Sequence, residues 1–301
     1  MSALLLYFED EQAPAQRLAQ AFGLQAACVQ AHRFPDDELR LRLPVNAAGQ
    51  LPEQLVLYRS LDRPNDKLVE LLLVSHQAHE LGARQLVLVA PYLAYMRQDI
   101  AFNPGEIVSQ KVIGHFLADL FDAVITVDPH LHRIRTLDEA VPLKQAISLS
   151  GAPMLAELIA QHHDKPLLIG PDAESAQWIA AAAQVHGFDH GVCTKDRHGD
   201  KHVEITLPAM AYAGRAVVVL DDVASSGRTL AVAARKLLEA GAASVDVAVT
   251  HALFAGDALD VIRAAGVRHV WSTDCIAHES NAISMAPLLS QAVAQVLKSH
   301  L

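Results

Sequence analysis

Val217-Val218-Val219-Leu220-Asp221-Asp222-Val223-Ala224-Ser225-Ser226-Gly227-Arg228-Thr229 joins an apolar run to two carboxylates and then to a turn of small hydroxyl residues. Nothing polar alternates with the valines, so the run predicts a strand covered on both faces. Ser225, Ser226 and Gly227 predict a tight turn, with a helix starting near Thr229. Such a turn at a helix N-terminus offers unpaired backbone N–H groups and hydroxyls to a phosphate. Two acids just ahead of it suit the vicinal hydroxyls of a ribose, or a magnesium shared with them. The same residues would also serve a plain βα turn with acids at a strand end, so the rest of the chain has to decide.

At 301 residues the chain has room for two domains and a substantial core. Apolar residues make up 51% and charged residues 19%, the balance of a globular enzyme rather than a disordered chain. A formal charge of −10 offers no basic face to nucleic acid backbones, so no nucleic-acid partner is expected. Cys28, Cys193 and Cys275 lie in unrelated segments without metal or redox spacing, which fits reduced thiols in the cytoplasm. The N-terminal apolar stretch is too short and wrongly charged for a signal peptide, and no membrane span is expected.

Short Val/Ile/Leu runs alternate with helical patterns throughout. Strands are expected at 3–8, 54–58, 85–91, 123–128, 166–171, 216–222, 244–251 and 269–273, and helices at 66–81, 108–120, 152–161, 175–186, 229–240 and 286–299. Leu81-Gly82-Ala83 and Ala240-Gly241-Ala242 each end a helix just before a buried strand, a sign of internal symmetry. The expectation is an α/β protein of two similar halves, 1–148 and 149–301, each a mainly parallel sheet flanked by helices, with ligand sites at strand C-termini. The last helix is left free to pack back on the first half.

No P-loop, no dinucleotide fingerprint, no HExxH and no GxSxG run occurs. Instead Pro91-Tyr92-Leu93-Ala94-Tyr95-Met96-Arg97-Gln98-Asp99 follows a buried strand, and its arginine suits a phosphate while Gln98 and Asp99 suit a base or ribose. Further short motifs follow the same order along the chain: Phe34-Pro35-Asp36-Asp37-Glu38, the helix start Asn65-Asp66-Lys67-Leu68-Val69-Glu70, Asp128-Pro129-His130, Pro171-Asp172, Lys195-Asp196-Arg197 and Thr250-His251-Ala252-Leu253-Phe254-Ala255-Gly256. With the opening stretch they resemble the ribose-phosphate diphosphokinases, or PRPP synthetases, which share the fold of type I phosphoribosyltransferases. The compact length and Pro104-Gly105-Glu106 look like the shorter archaeal type.

The resemblance implies a magnesium-dependent transfer of the diphosphoryl group of ATP to the C1 hydroxyl of ribose 5-phosphate. It implies ATP at Arg97, Gln98 and Asp99, with Phe34, Asp36 and Glu38 reaching over from a neighbouring subunit, hence a homo-oligomer. It implies ribose 5-phosphate at Asp221, Asp222, Ser225, Ser226, Gly227 and Thr229 and magnesium at His130 and Asp172; Lys195 and Arg197 are the candidate catalytic cations, and the stretch 196–200 reads as mobile enough to close as a lid. Some positions depart from the pattern. Ile100 and Ala101 replace basic residues, Glu174 and Ser175 replace two glycines and so put side chains near the sugar, Arg228 replaces a glycine, and the 130–133 run is unusually basic. Two other readings therefore stand beside the first: a type I phosphoribosyltransferase that consumes PRPP, and a non-catalytic regulatory paralogue. Of the sixteen histidines, the pairs His130/His132 and His162/His163 lack the third ligand of a firm transition-metal site.

Overall fold

The computed structural model describes residues 3–131, 133–198 and 202–298, without the side chains of 196–198 and 202–204. His132 and the tip of the expected lid, 199–200, lie outside these residues. The chain divides into two compact units, Met1–Leu149 together with Ala286–Leu301, and Ser150–Met285.

In unit 1 the chain order is β1 (Leu4–Tyr7), α1 (Gln12–Phe22), β2 (Gln25–Cys28), β3 (Gln30–Arg33), β4 (Leu39–Arg42), β5 (Gln54–Tyr58), α2 (Pro64–Glu80), β6 (Gln85–Val89), α3 (Ser109–Leu120), β7 (Ala123–Val127) and β8 (Ala146–Leu149). Unit 2 follows with α4 (Ala152–His162), β9 (Leu167–Gly170), α5 (Ala176–His186), β10 (Asp189–Val192), β11 (Thr194–His198), β12 (His202–Thr206), β13 (Ala216–Ala224), α6 (Arg228–Glu239), β14 (Ser244–Ala252), α7 (Ala258–Ala264), β15 (Val270–Thr273) and β16 (Asn281–Ile283). A final helix, α8 (Ala286–Lys298), packs on α1 and beneath β6, β7 and β8 of unit 1.

Each unit holds a six-stranded sheet, in the order β2-β1-β5-β6-β7-β8 and β10-β9-β13-β14-β15-β16, and every pairing within both sheets is parallel. The correspondence extends to details. In both units the first strand runs into a single 3₁₀ turn (Glu9–Glu11, Ala173–Ser175), then a helix closed by a left-handed glycine (Gly23, Gly187), then the edge strand and an antiparallel hairpin, β3–β4 or β11–β12. The expected glycine helix ends are present: Ala83 N–H reaches Ala78 O at 3.0 Å and Ala242 N–H reaches Leu237 O at 3.1 Å, with Gly82 and Gly241 at positive φ.

Strand alternation builds the two faces. In unit 2, Leu167, Ile169, Val217, Val219, Val245 and Val247 point to the side of α6 and α7, while Leu168, Val218, Leu220 and Ala248 point to α4 and α5. Burying each such Val or Leu side chain contributes roughly 1.5–3 kcal/mol, enough to outweigh the backbone cost of holding short strands parallel. The strands missed in the sequence are the short or polar ones, β2–β4, β8, β10–β12 and β16, together with the helices α1 and α7.

Candidate active site

The ligand-side residues of unit 2 gather where β9 and β13 end, the edge at which parallel sheets build their sites. Asp172 follows β9 in an extended conformation, and its Oδ1 accepts the Glu174 N–H at 3.1 Å. Its Oδ2 receives Lys195 Nζ at 3.4 Å, with both side chains less than one-fifth exposed. Lys195 stands on β11, opposite Ile205 of the hairpin. Arg197 lies two residues further along the same strand, and its side chain is outside the described residues.

Asp221 and Asp222 sit within β13 rather than at its tip, because the strand runs on to Ala224. Asp222 is buried and Asp221 half-buried, and the Asp222 N–H donates to Asp221 Oδ1 at 3.1 Å. Desolvation, then the neighbouring Asp222 and Asp172 carboxylates, push the Asp221 carboxyl well above the ordinary range. Such crowding is relieved by hydroxyl donors or by a cation.

Beyond the strand, Ser225 O accepts the Ala255 N–H at 2.9 Å and Ala224 O accepts the Phe254 N–H at 2.9 Å, which ties the turn to the loop after β14. Ser226 is exposed and Ser225 half-buried. Gly227, at φ +68°, begins α6, which starts at Arg228 rather than Thr229, and no side chain caps its first N–H groups. Those donors lie in the same turn as the hydroxyls of Ser225, Ser226 and Thr229, a set of groups that can donate to a phosphate. The side chain expected to crowd the sugar from position 175 points elsewhere: Ser175 is fully buried against Gly170, and its hydroxyl donates to Asp172 O at 2.6 Å. Glu174 is exposed.

In unit 1 the segment after β6 carries exposed Arg97, half-buried Gln98 and buried Asp99. Gln110 of α3 anchors it, with its N–H on Gln98 O at 3.2 Å and its side-chain amide on Met96 O at 3.1 Å. Asp99 Oδ1 takes Arg133 Nη1 at 2.6 Å. Arg133 was noted in the sequence only as part of a basic run; no spacing signal links residues 34 positions apart. His130 lies half-buried on the loop after β7, the strand beside β6. Phe34, Asp36 and Glu38 occupy the exposed tip of the β3–β4 hairpin, closed by the Phe34 N–H on Glu38 O at 2.9 Å. The Phe34 ring meets His32 edge-on at 4.9 Å, and the Arg40 guanidinium lies 5.9 Å from its centroid.

The loops of unit 1 that correspond to the unit 2 site enclose an open cavity of about 900 Å³, lined by Asp10, Arg33, Arg59, Arg63, Lys67 and Glu70 among others. Here the chain's own charges satisfy one another. Buried Arg59 meets Glu70 at 2.6 Å, Asp10 at 2.6 Å and Glu11 at 3.2 Å, while Glu11 Oε1 accepts the Ser60 N–H at 2.9 Å. A carboxylate thus holds the backbone donor that follows β5, so this cavity is no second copy of the unit 2 corner. Burial raises Glu11 to about 7 against the opposing pull of Arg59 and Lys67.

Doubled parallel units, one of them with paired carboxylates ahead of an uncapped hydroxyl turn, have the architecture of the phosphoribosyltransferase fold. The family described as the N-terminal domain of ribose phosphate pyrophosphokinase matches residues 3–120, and the phosphoribosyl transferase domain matches residues 151–273. Ribose-phosphate pyrophosphokinase of Methanopyrus kandleri is 33% identical over 92% of this chain and 94% of its own, and that of Methanosarcina acetivorans 31% over 93% and 95%. The crystal structure of phosphoribosylpyrophosphate synthetase from Mycobacterium smegmatis superposes with a TM-score of 0.81 at 19% identity, covering 99% of this chain and all of that one, and so shares the fold. The chain belongs to the ribose-phosphate pyrophosphokinase family.

Proposed function

We infer that this protein makes 5-phosphoribosyl 1-diphosphate from ATP and ribose 5-phosphate. The C1 hydroxyl attacks the β-phosphorus of ATP, the bond from that phosphorus to the α–β bridging oxygen breaks, and AMP leaves with the electron pair while the hydroxyl gives up its proton. The observation that carries this reading is the meeting of Asp172, Lys195, Asp221 and Asp222 beside the open start of α6. Asp221 and Asp222 would hold the ribose hydroxyls, and residues 225–229 the 5-phosphate. Lys195 and Arg197 would meet charge developing on the transferred group. Arg97, Gln98 and Asp99 would bind ATP, with Phe34, Asp36 and Glu38 supplied by a second copy.

Magnesium fits the donor set. Asp172, Asp221 and Asp222 put excess negative charge around one lysine, while no ready cage of three ligands exists among the described residues. That is the arrangement of a hydrated ion held by one or two carboxylates and substrate phosphates. Asp172 and His130 are the residues we assign to magnesium binding, each within its own unit. When bound, the ion supplies charge neutralisation on the phosphates. A homo-oligomer is supported by the exposed Phe34 hairpin and by Val69, Leu72 and Leu73 on the outer face of α2. The three free thiols fit a cytoplasmic protein, and no helix among the described residues is long and apolar enough to cross a membrane.

The test is AMP and PRPP formation from ribose 5-phosphate and Mg-ATP; no AMP above background with folded protein rejects the reading. Lys195→Ala is expected to lower kcat about 10²–10³-fold, the scale of one charge-stabilising donor, with nucleotide affinity nearly unchanged. A consumer of PRPP would instead release pyrophosphate with a nucleobase, and would have no use for residues 97–99. A regulatory paralogue would have no use for Lys195 against Asp172.

A further inference from the structure

We propose that Arg133 is a positioning residue for the nucleotide, acting through Asp99. Asp99 has a side chain only 3% exposed, and a buried carboxylate is costly unless it is paired. One of its oxygens is satisfied by Arg133 at 2.6 Å, while the other, Oδ2, is buried and without a hydrogen-bond partner. The structure therefore holds a buried acceptor with an unused lone-pair site two residues from exposed Arg97, which a small shift of this segment would offer to a donor such as a ribose hydroxyl. Arg133 spends a single N–H on Asp99, and its side chain is half exposed. Four of its donors remain outside that bond.

The geometry explains why a residue on a different loop matters. Strands β6 and β7 are parallel neighbours, so the segments that follow them leave the sheet at one edge. Within residues 97–101 Arg97 is the one cation, and it is exposed, whereas the ion pair of Asp99 is made with Arg133. The Asp99–Arg133 pair is thus a staple between the two segments. Remove the guanidinium, and the carboxylate gains by moving out to water, drawing Gln98 and Arg97 with it.

The inference rests on the assignment of ATP to residues 97–99, and the experiment separates the two. KM for Mg-ATP and for ribose 5-phosphate, kcat and thermal midpoint are measured for Arg97→Ala, Arg133→Ala, Arg133→Lys, Arg133→Gln and the exposed control Arg135→Ala. We expect Arg133→Ala to raise KM for ATP about tenfold, the loss of one charged hydrogen bond, while KM for ribose 5-phosphate and kcat stay within about threefold. Arg133→Lys restores part of the affinity, and Arg133→Gln, which keeps a donor without the charge, restores less. Arg135→Ala matches the unaltered protein. If Arg97→Ala raises KM for ATP but every Arg133 variant behaves like the unaltered protein, the inference fails and the ATP assignment stands. If Arg97→Ala leaves KM for ATP unchanged, the assignment fails and takes the inference with it. A fall in thermal midpoint with both KM values altered alike reduces Arg133 to a structural ion pair and overturns the proposal. Should Arg133→Ala not fold, the ranking of Arg133→Lys over Arg133→Gln in KM for ATP decides.

Discussion

Gly227 meets two demands at one backbone position. Its φ of +68° is strained for any side chain, and a Cβ there would lie 2.9 Å from Ala258 O and 2.9 Å from Ile262 Cδ1. Gly227→Ala should lower stability by about 1–3 kcal/mol and raise KM for ribose 5-phosphate, because relief of the clash displaces the turn itself. Urea unfolding and the two KM values check this; a destabilised variant with unchanged sugar-phosphate affinity would detach the turn from the phosphate. Glu11 offers a pH test. Its folded value of about 7 stands above the ordinary 4.5, so its stabilising proton is fully present below about pH 4.5 and is lost as pH rises through 7. Glu11→Gln should gain on the unaltered protein by up to about 3 kcal/mol across that window and then stay level. Unfolding curves of both proteins from pH 5 to 8 give the difference, and a pH-independent difference refutes the assignment. At this scale the sequence made Asp221, Asp222 and the turn legible because they are contiguous. The partnership of Lys195 with Asp172 and the grip of Arg133 on Asp99 join distant positions and leave no periodic trace, while the inward turn of Ser175 is local but set by packing against Gly170.

Elements follow the same division between local and distant signals. Strands such as β5 and β6 are readable because their apolar runs are unbroken, whereas β11 contains Lys195, Asp196 and Arg197 and is held by its hairpin partner. α1 carries Gln12, Gln16 and Arg17, and its buried side is the short pattern of Pro14, Ala15, Leu18 and Ala19, with a proline inside its first turn. At the opposite end of β14 from the ligand residues, the fully buried Asp246 accepts His163 Nε2 at 2.7 Å and both the backbone N–H and Nδ1 of His269 at 2.9 Å. It thereby pins the end of α4 and the approach to β15, with His269 stacked on Trp271 at 5.4 Å. His162 and His163, which lack a third metal ligand in the sequence, pack around Trp271. Asp246→Ala should cost about 3–5 kcal/mol, the penalty for breaking a buried charged network, without altering either KM. Calorimetry with steady-state kinetics tests it, and a shift in either KM would contradict the spatial separation.

The whole molecule repeats one design and puts it to unequal use. Corresponding hairpins bear Phe34, Asp36 and Glu38 in one unit and Lys195 and Arg197 in the other, while the corner beside β13 is open and its counterpart beside β5 is filled by Glu11 and Arg59. If the Phe34 hairpin serves a second copy, mixing and refolding Phe34→Ala with Arg97→Ala protein should restore about a quarter of the sites, since each mixed dimer carries one intact site. No recovery above the sum of the separate variants would place Phe34 and Arg97 on the same subunit's nucleotide. Unit 1 is also discontinuous: α8, made after unit 2, packs on α1 and under β6 to β8. During synthesis every strand of unit 2 therefore leaves the ribosome before unit 1 has its full complement of helices. A nascent chain halted shortly before α8 would hold a finished unit 2 and a unit 1 still short of one helix, so premature termination, or a protease that trims this helix, strikes unit 1 first.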